Sequence, residues 1–372
     1  MVGVYILEHA RAFVEATGKH VVVLFCTAHE EADYLQEFSQ EENITIYKSY
    51  YPSAKGFGRR LTTALRFNKA QKIGFKMITT AFGLPDLCHA HVIGRQILLA
   101  KRLKNRHNIP YYISAHWSGF LPERGLKLPF IRTVFYRFLA RGAASGSAVS
   151  HHLLNGIRNT LGLELPNWTV IPNVVKTAPK PKEKESGPFR IMHMSVLDTA
   201  NKQFDKILAA VQEVMELHPK GKVEFHVLGG NEPDIQHYRK EVLNPLKPYI
   251  YFHGWREKQD FLNHLPTYDF GVFLSKYETQ SLGVLECLAA GVPCIVADNP
   301  AIQEYFGKVG DDTPGVMLPS TSSVEQLKTA ILHLIDNLDV YTQNAKSFDT
   351  EPFLKGRVGH QMNRLYALSP EE

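Results

Sequence analysis

Short runs of β-branched and apolar residues alternate with longer amphipathic stretches along almost the whole chain, and the alternation runs twice. In the first pass, residues 21–26, 87–91, 111–115, 147–150 and 169–171 read as strands, with helical patterns at 8–17 and 94–107. Strand, crossover helix, strand is the pattern of a parallel sheet covered by helices. Residues 176–188 (KTAPKPKEKESGP) then carry proline and charge with nothing to bury, as a linker does. The second pass places strands at 189–195, 223–228, 250–253, 270–275 and 294–297, and helices at 204–218 and 283–290. Residues 322–338 keep a helical period, and the tail after Pro352 admits another helix.

At 372 residues the chain exceeds what one core usually serves, and 44% apolar residues can fill two. The expected architecture is α/β: a Rossmann-like unit over 1–177, a linker over 178–188, a second such unit over 189–345, and a helix in 346–372 crossing back. Ligands of open parallel sheets lie beyond the carboxyl ends of the strands, so two facing units put the site in the cleft between them. One irregularity stands at the start. A Rossmann-like unit opens with a strand and a glycine loop, whereas this chain reads Met-Val-Gly3-Val-Tyr-Ile-Leu-Glu8-His9 and enters a helical pattern at once. The first strand is missing from the pattern, through a misassigned start or through degeneration that would weaken catalysis.

Charge is divided unevenly. Residues 1–180 hold 23 Lys and Arg against 11 Asp and Glu, and residues 181–372 hold 19 against 26, so the first half suits an anionic partner. Eight basic residues and no acidic one lie between Glu42 and Asp86, interleaved with Phe57, Leu61, Leu65, Phe67, Ile73 and Phe75. The stretch bounded by Lys48 and Lys76 is either a solvated basic face or a surface resting on anionic lipid. Nucleic acid is not expected as a partner. No run of about 18 apolar residues spans a membrane and no signal-peptide order opens the chain, so a cytoplasmic location is expected, with the inner face of the cell membrane as an option. Cys26, Cys88, Cys287 and Cys294 lie in apolar stretches without metal-site spacing and read as reduced core residues.

The chemistry concentrates in residues 273–298, FLSKYETQSLGVLECLAAGVPCIVAD. A strand ends near Ser275, a polar loop follows, and a helix opens near Ser281 and stops at Gly291. Free backbone N–H groups at that helix start make an anion site. Glu278 precedes it; Glu286 lies on the helix, and a buried stripe of Leu285, Leu288 and Ala289 leaves its carboxylate free for the two hydroxyls of a ribose.

Glu278-x7-Glu286, with Ala-Ala-Gly291-Val-Pro293 and Asp298 downstream, resembles the E-x7-E signature of retaining glycosyltransferase family 4, as in bacterial cell-surface polysaccharide enzymes. Further matches in the family's order are Glu8-His9-Ala10, Pro85-Asp-Leu-Cys-His89-Ala-His91, Ser114-Ala-His116-Trp117, Ser147-Ala-Val-Ser150, Pro172-Asn173 and Gly315-Val-Met-Leu318. The resemblance implies a GT-B fold and sugar transfer from a nucleotide-sugar, commonly a UDP-sugar, to a glycan or lipid-linked acceptor, without cofactor or metal. It implies that Glu286 binds the ribose and that Glu278 and His116 stand beside the donor sugar. Lys202 neutralises the diphosphate, Thr279, Gln280, Ser281, Leu282 and Gly283 offer backbone to sugar and diphosphate, the loop of Trp255 and Arg256 receives the base, and Gly3 belongs to the glycine loop. Where the family has Gly-Arg after the second unit's first strand, this chain has Ser195-Val196. A GT-B nucleotide-sugar epimerase and a catalytically weakened donor-binding protein are the alternatives.

Overall fold

The computed structural model describes residues 4–30, 33–177, 187–307 and 312–367. In the N-terminal half, β1 (Val21–His29), β2 (Gln36–Glu41) and β3 (Ile44–Pro52) form a sheet in the order β1-β3-β2, with β3 parallel to β1 and antiparallel to β2. A separate parallel sheet holds β4 (Cys88–His91), β5 (Tyr111–Ala115), β6 (Ser145–Ala148) and β7 (Trp168–Val170) in chain order.

Two expectations are corrected here. The N-terminal half carries two sheets among its described residues, and one strand runs antiparallel. The hairpin was hidden because β2, Gln-Glu-Phe-Ser-Gln-Glu, has no apolar alternation. It is an edge strand, held by backbone pairing and a tight turn with Glu42 at φ +45°.

The C-terminal half is one parallel sheet of β8 (Phe189–Ser195), β9 (Val223–Gly229), β10 (Ile250–Gly254), β11 (Phe270–Phe273), β12 (Cys294–Asp298) and β13 (Gly315–Pro319), ordered β10-β9-β8-β11-β12-β13. Strand order reverses between β8 and β11, which opens a crevice at their carboxyl ends. The sheet is buried on both faces. Phe204, Ile207, Val211 and Val214 of the helix Phe204–Leu217 cover one face with Leu327, Ile331 and Leu334 of Val324–Asp336. Val284, Cys287 and Leu288 of the helix Leu282–Ala289 cover the other. Cys287 and Cys294 are fully buried, Cys26 and Cys88 half-buried, and all four are free thiols.

The chain's last described helix, Lys355–Ala367, returns to the N-terminal half and packs on Val4–Thr17. A Cβ on Gly359 would stand 2.1 Å from the Ala12 carbonyl oxygen, so the two helices cross at a distance only glycine permits. The halves also meet across the cleft. Val175 N–H donates to Phe353 O at 2.9 Å, and Glu304 accepts from the backbone N–H groups of His151 and His152 at 2.9 and 2.6 Å. No helix among the described residues is long and apolar enough to cross a membrane.

Candidate active site

The loop after β8 is bent by two residues in the left-handed region, Leu197 at φ +57° and Gln203 at φ +53°. Side chains hold that strain in place. Gln203 Nε2 donates to Leu274 O and Ser320 O, at 2.7 and 2.9 Å, and Asp198 Oδ1 accepts from the backbone of Asn201 and Lys202. Asn201 in turn accepts from the backbone N–H groups of Lys276 and Tyr277. The loops after β8 and β11 are therefore tied together, which fixes Lys202 against Glu278: Nζ to Oε1 is 2.5 Å, and Nζ also donates to Ser275 Oγ at 3.3 Å.

The pair borders a cavity of about 100 Å³ lined also by His193, Ser195, Phe273 and the start of the helix Leu282–Ala289. Gly283 lets the helix start come this close, since a Cβ there would lie 3.1 Å from Met194 and from Phe273. Ser281 and Leu282 line the cavity too. With the free N–H groups of the first helical turn, one cation and one carboxylate face a space suited to an anion.

Glu286 corrects an expectation. Its carboxylate is buried, 2% exposed, and one oxygen is engaged by Lys258 Nζ, so it is not free. Its other oxygen, Oε2, is buried with no hydrogen-bond partner among the described residues. Burial raises its pKa against the opposing Lys258 charge. The helix is buried on more of its circumference than a single stripe, because β11, β12 and the helix Leu338–Lys346 all pack on it. Lys258 escaped the sequence reading, as one lysine at a short helix start has no signature.

His193 was also missed. It is buried on β8, with Nδ1 against Val272 O at 2.7 Å and Nε2 against Ser195 Oγ at 2.7 Å, and burial lowers its pKa to about 4. Ser195 Oγ accepts from Leu197 N–H at 2.9 Å, so the residue in the expected glycine's place shapes the loop, while Val196 is half exposed beside it.

Two family models match the chain: "Glycosyltransferase Family 4" over residues 2–178 and "Glycosyl transferases group 1" over residues 188–337. The chain belongs to glycosyltransferase family 4. Solved structures agree on a GT-B fold. Sucrose-phosphate synthase from Thermosynechococcus elongatus superposes with a TM-score of 0.75 at 16% identity, covering 98% of this chain and 92% of that one. Pneumococcal O-GlcNAc transferase GtfA, solved with UDP and GlcNAc, gives 0.65 at 15% over 90% and 70%. Anabaena Alr3699/HepE, solved with UDP and glucose, gives 0.62 at 16% over 86% of each. No curated protein matches the chain.

The remaining expected residues of this family 4 chain fall into two groups. Gln280 is buried and its Oε1 accepts from Asn173 N–H at 2.8 Å, so the E-x7-E loop touches the other half. Thr279 is half-buried beside it. Trp255 and Arg256 follow β10 as exposed side chains, Arg256 lying 3.9 Å from Asp260. His116 follows β5 in the N-terminal half and is not among the residues that line the cavity; its Nε2 lies 3.1 Å from His91 Nδ1 and its ring centroid 4.3 Å from that of Tyr5. His89 and His91 are half-buried partners of Tyr366, Ser114 and His116. Gly3 lies outside the described residues, as does most of the expected linker.

Proposed function

We propose that this protein moves a hexosyl unit, with retention of configuration, from a nucleotide-sugar to a glycan or lipid-linked acceptor in cell-surface polysaccharide synthesis. UDP-sugars are the proposed donors; family 4 membership and neighbours solved with UDP support that choice. The observation that carries the reading is the pairing of Lys202 with Glu278 over the start of the helix Leu282–Ala289, with a buried, unsatisfied Glu286 oxygen one helical face away.

The chemistry follows from charge. When the anomeric C–O bond breaks, its electron pair leaves with the diphosphate, whose growing charge meets Lys202 and the N–H groups of residues 279–283. Glu278 holds Lys202 in place and faces the sugar. Glu286 Oε2 accepts the ribose hydroxyls that satisfy it. Trp255 and Arg256 receive the base, and His116 approaches the sugar from the other half. The acceptor hydroxyl attacks the face the diphosphate leaves and passes its proton to the departing diphosphate oxygen, so no carboxylate serves as nucleophile, and no metal is assigned to the diphosphate.

Leu61 and Leu65 are exposed with Lys69, Lys72 and Lys76 on the helix Arg59–Phe82, and Phe57 is exposed just before it, whereas Phe67 is buried against Tyr51. This supports peripheral contact with an anionic membrane, at its cytoplasmic face. Each basic residue near such a surface contributes about 1 kcal/mol, screened by salt. Flotation with anionic vesicles at low salt should carry the protein up and lose it at high salt; equal partitioning onto neutral vesicles would remove the membrane from the proposal.

Turnover of UDP-sugars with and without lipid-linked acceptors tests the whole. Release of UDP that depends on acceptor supports transfer. Isomerised sugar without acceptor would mean an epimerase, and binding without either would mean a donor-binding protein.

A further inference from the structure

We propose that His9, His91 and His116 together bind one transition-metal ion of the zinc class in the N-terminal half. The site shares His116 with the donor-sugar contact proposed above, and its test reads metal binding rather than sugar transfer. Three elements bring the residues together: His9 from the helix Val4–Thr17, His91 from the end of β4, and His116 from just beyond β5. One ring nitrogen from each lies within 4.8 Å of the others. The ring centroids form a near-regular triangle with sides of 5.7, 5.5 and 5.4 Å.

That triangle fits a common ion. Zn–N bonds of about 2.0–2.1 Å in tetrahedral array put imidazole centroids about 5.2 Å apart and ligating nitrogens about 3.4 Å apart. His91 Nδ1 and His116 Nε2 already stand at 3.1 Å, and the widest pair, within 4.8 Å, closes by at most about 1.4 Å on binding.

The outer nitrogens favour the same arrangement. His9 Nε2 lies 3.0 Å from Pro172 O; an N–H there leaves the lone pair on Nδ1, which is buried with no hydrogen-bond partner. His116 Nδ1 and Asn173 Oδ1 are likewise buried without partners, and the Asn173 side chain acts on the His116 ring. A proton on Nδ1 directed to Asn173 leaves Nε2 for the ion. Carbonyl and amide acceptors behind imidazole ligands are the usual way tautomers are set at metal sites. Burial keeps all three rings neutral, the ligating form, and a hydrogen bond between His91 and His116 alone would leave His9 Nδ1 unsatisfied. Three imidazoles without a carboxylate suit zinc, nickel, cobalt or copper rather than magnesium. Such an ion would fasten the helix Val4–Thr17 to the edge of the β4–β7 sheet.

The test uses the full, untagged chain stripped of metal. Zn²⁺ added in competition with a chromophoric chelator should bind one ion per chain, and His9→Gln and His91→Gln should each weaken binding at least 100-fold. A His151→Gln/His152→Gln double variant, altered outside the cluster, should bind as the parent does. No one-to-one binding, or parental affinity in His9→Gln, would overturn the proposal. Should the variants not fold, Co²⁺ in the parent decides. The intense visible bands of a four-coordinate ion with three paramagnetically shifted imidazole N–H resonances support the site; the pale spectrum of a six-coordinate ion, or fewer than three such resonances, refutes it.

Discussion

The two halves start from the same alternation of strand and helix and reach different degrees of closure. In the C-terminal half six strands share one parallel sheet, and its charged site residues are held in pairs, Lys202 with Glu278 and Lys258 with Glu286. In the N-terminal half the described strands divide into two sheets. Its central polar cluster is a set of neutral histidines, and its surface exposes Phe57, Leu61, Leu65, Phe130 and Ile131. The contrast separates two tasks. A half that meets one invariant diphosphate profits from fixed charges, since preorganised groups need no rearrangement as charge develops. A half that meets an acceptor of greater size profits from surface. Substitutions in the first should therefore act on turnover and donor affinity, and those in the second on acceptor and surface contacts.

The largest effect should come from Lys202. Lys202→Ala removes the cation facing the departing diphosphate and leaves Glu278 unpaired, so turnover should fall by roughly 10² or more. Glu278→Gln keeps the lysine's charge and should cost less. Equal steady-state rates for Lys202→Ala and the parent would reduce the lysine to a structural partner of Glu278, and the contrast between the halves would lose its main support.

Glu286→Ala should weaken nucleotide-sugar binding by about 2–3 kcal/mol, the scale of charge-assisted hydrogen bonds in a shielded site. Calorimetry on the folded variant reads this directly. Unchanged affinity would mean that the buried carboxylate serves only Lys258.

Most of this arrangement was legible in the sequence where a local rule was strong. Tyr111–Ala115 and Phe189–Ser195 are apolar runs bounded by turns, and they are strands with the expected limits. The 7-residue interval between Glu278 and Glu286 likewise fell at a strand end and a helix start. What escaped depends on partners distant in sequence. The polar edge strand β2 exists through pairing with β3, Lys258 matters through a buried Glu286, and the His9–His91–His116 triangle joins residues that only the tertiary fold assembles. Spacing along the chain carries no trace of such contacts.

His193 gives a smaller and pH-dependent contrast. Burial depresses its pKa to about 4 from an unfolded value near 6.5, so between those pH values the unfolded chain binds more protons than the folded one. Stability should therefore fall as pH drops through this window, by about 2 kcal/mol between pH 6.5 and 5 from this residue. Urea titrations of the parent and of His193→Gln at both pH values isolate the effect. If the two proteins lose stability in parallel, His193 is protonated without penalty, and the C-terminal half is less rigid around its cavity than the comparison holds.

The smallest expected effect lies at the seam between the halves. Glu304 accepts from two backbone N–H groups in the first turn of the helix His151–Leu161, where Ser150 Oγ accepts from Leu153 N–H. A carboxylate there meets orphan donors and the positive end of the helix dipole, worth about 1 kcal/mol when partly exposed. Glu304→Ala should thus shift the balance toward an open cleft by about fivefold, while each half keeps its own fold. Single-molecule energy transfer between labels on the two halves measures the shift, and Glu304→Asp should recover part of it. If the closed population is unchanged, contact between the halves rests instead on Gln280 with Asn173 and on the returning helix Lys355–Ala367, and the two halves are coupled more firmly than their separate sheets suggest.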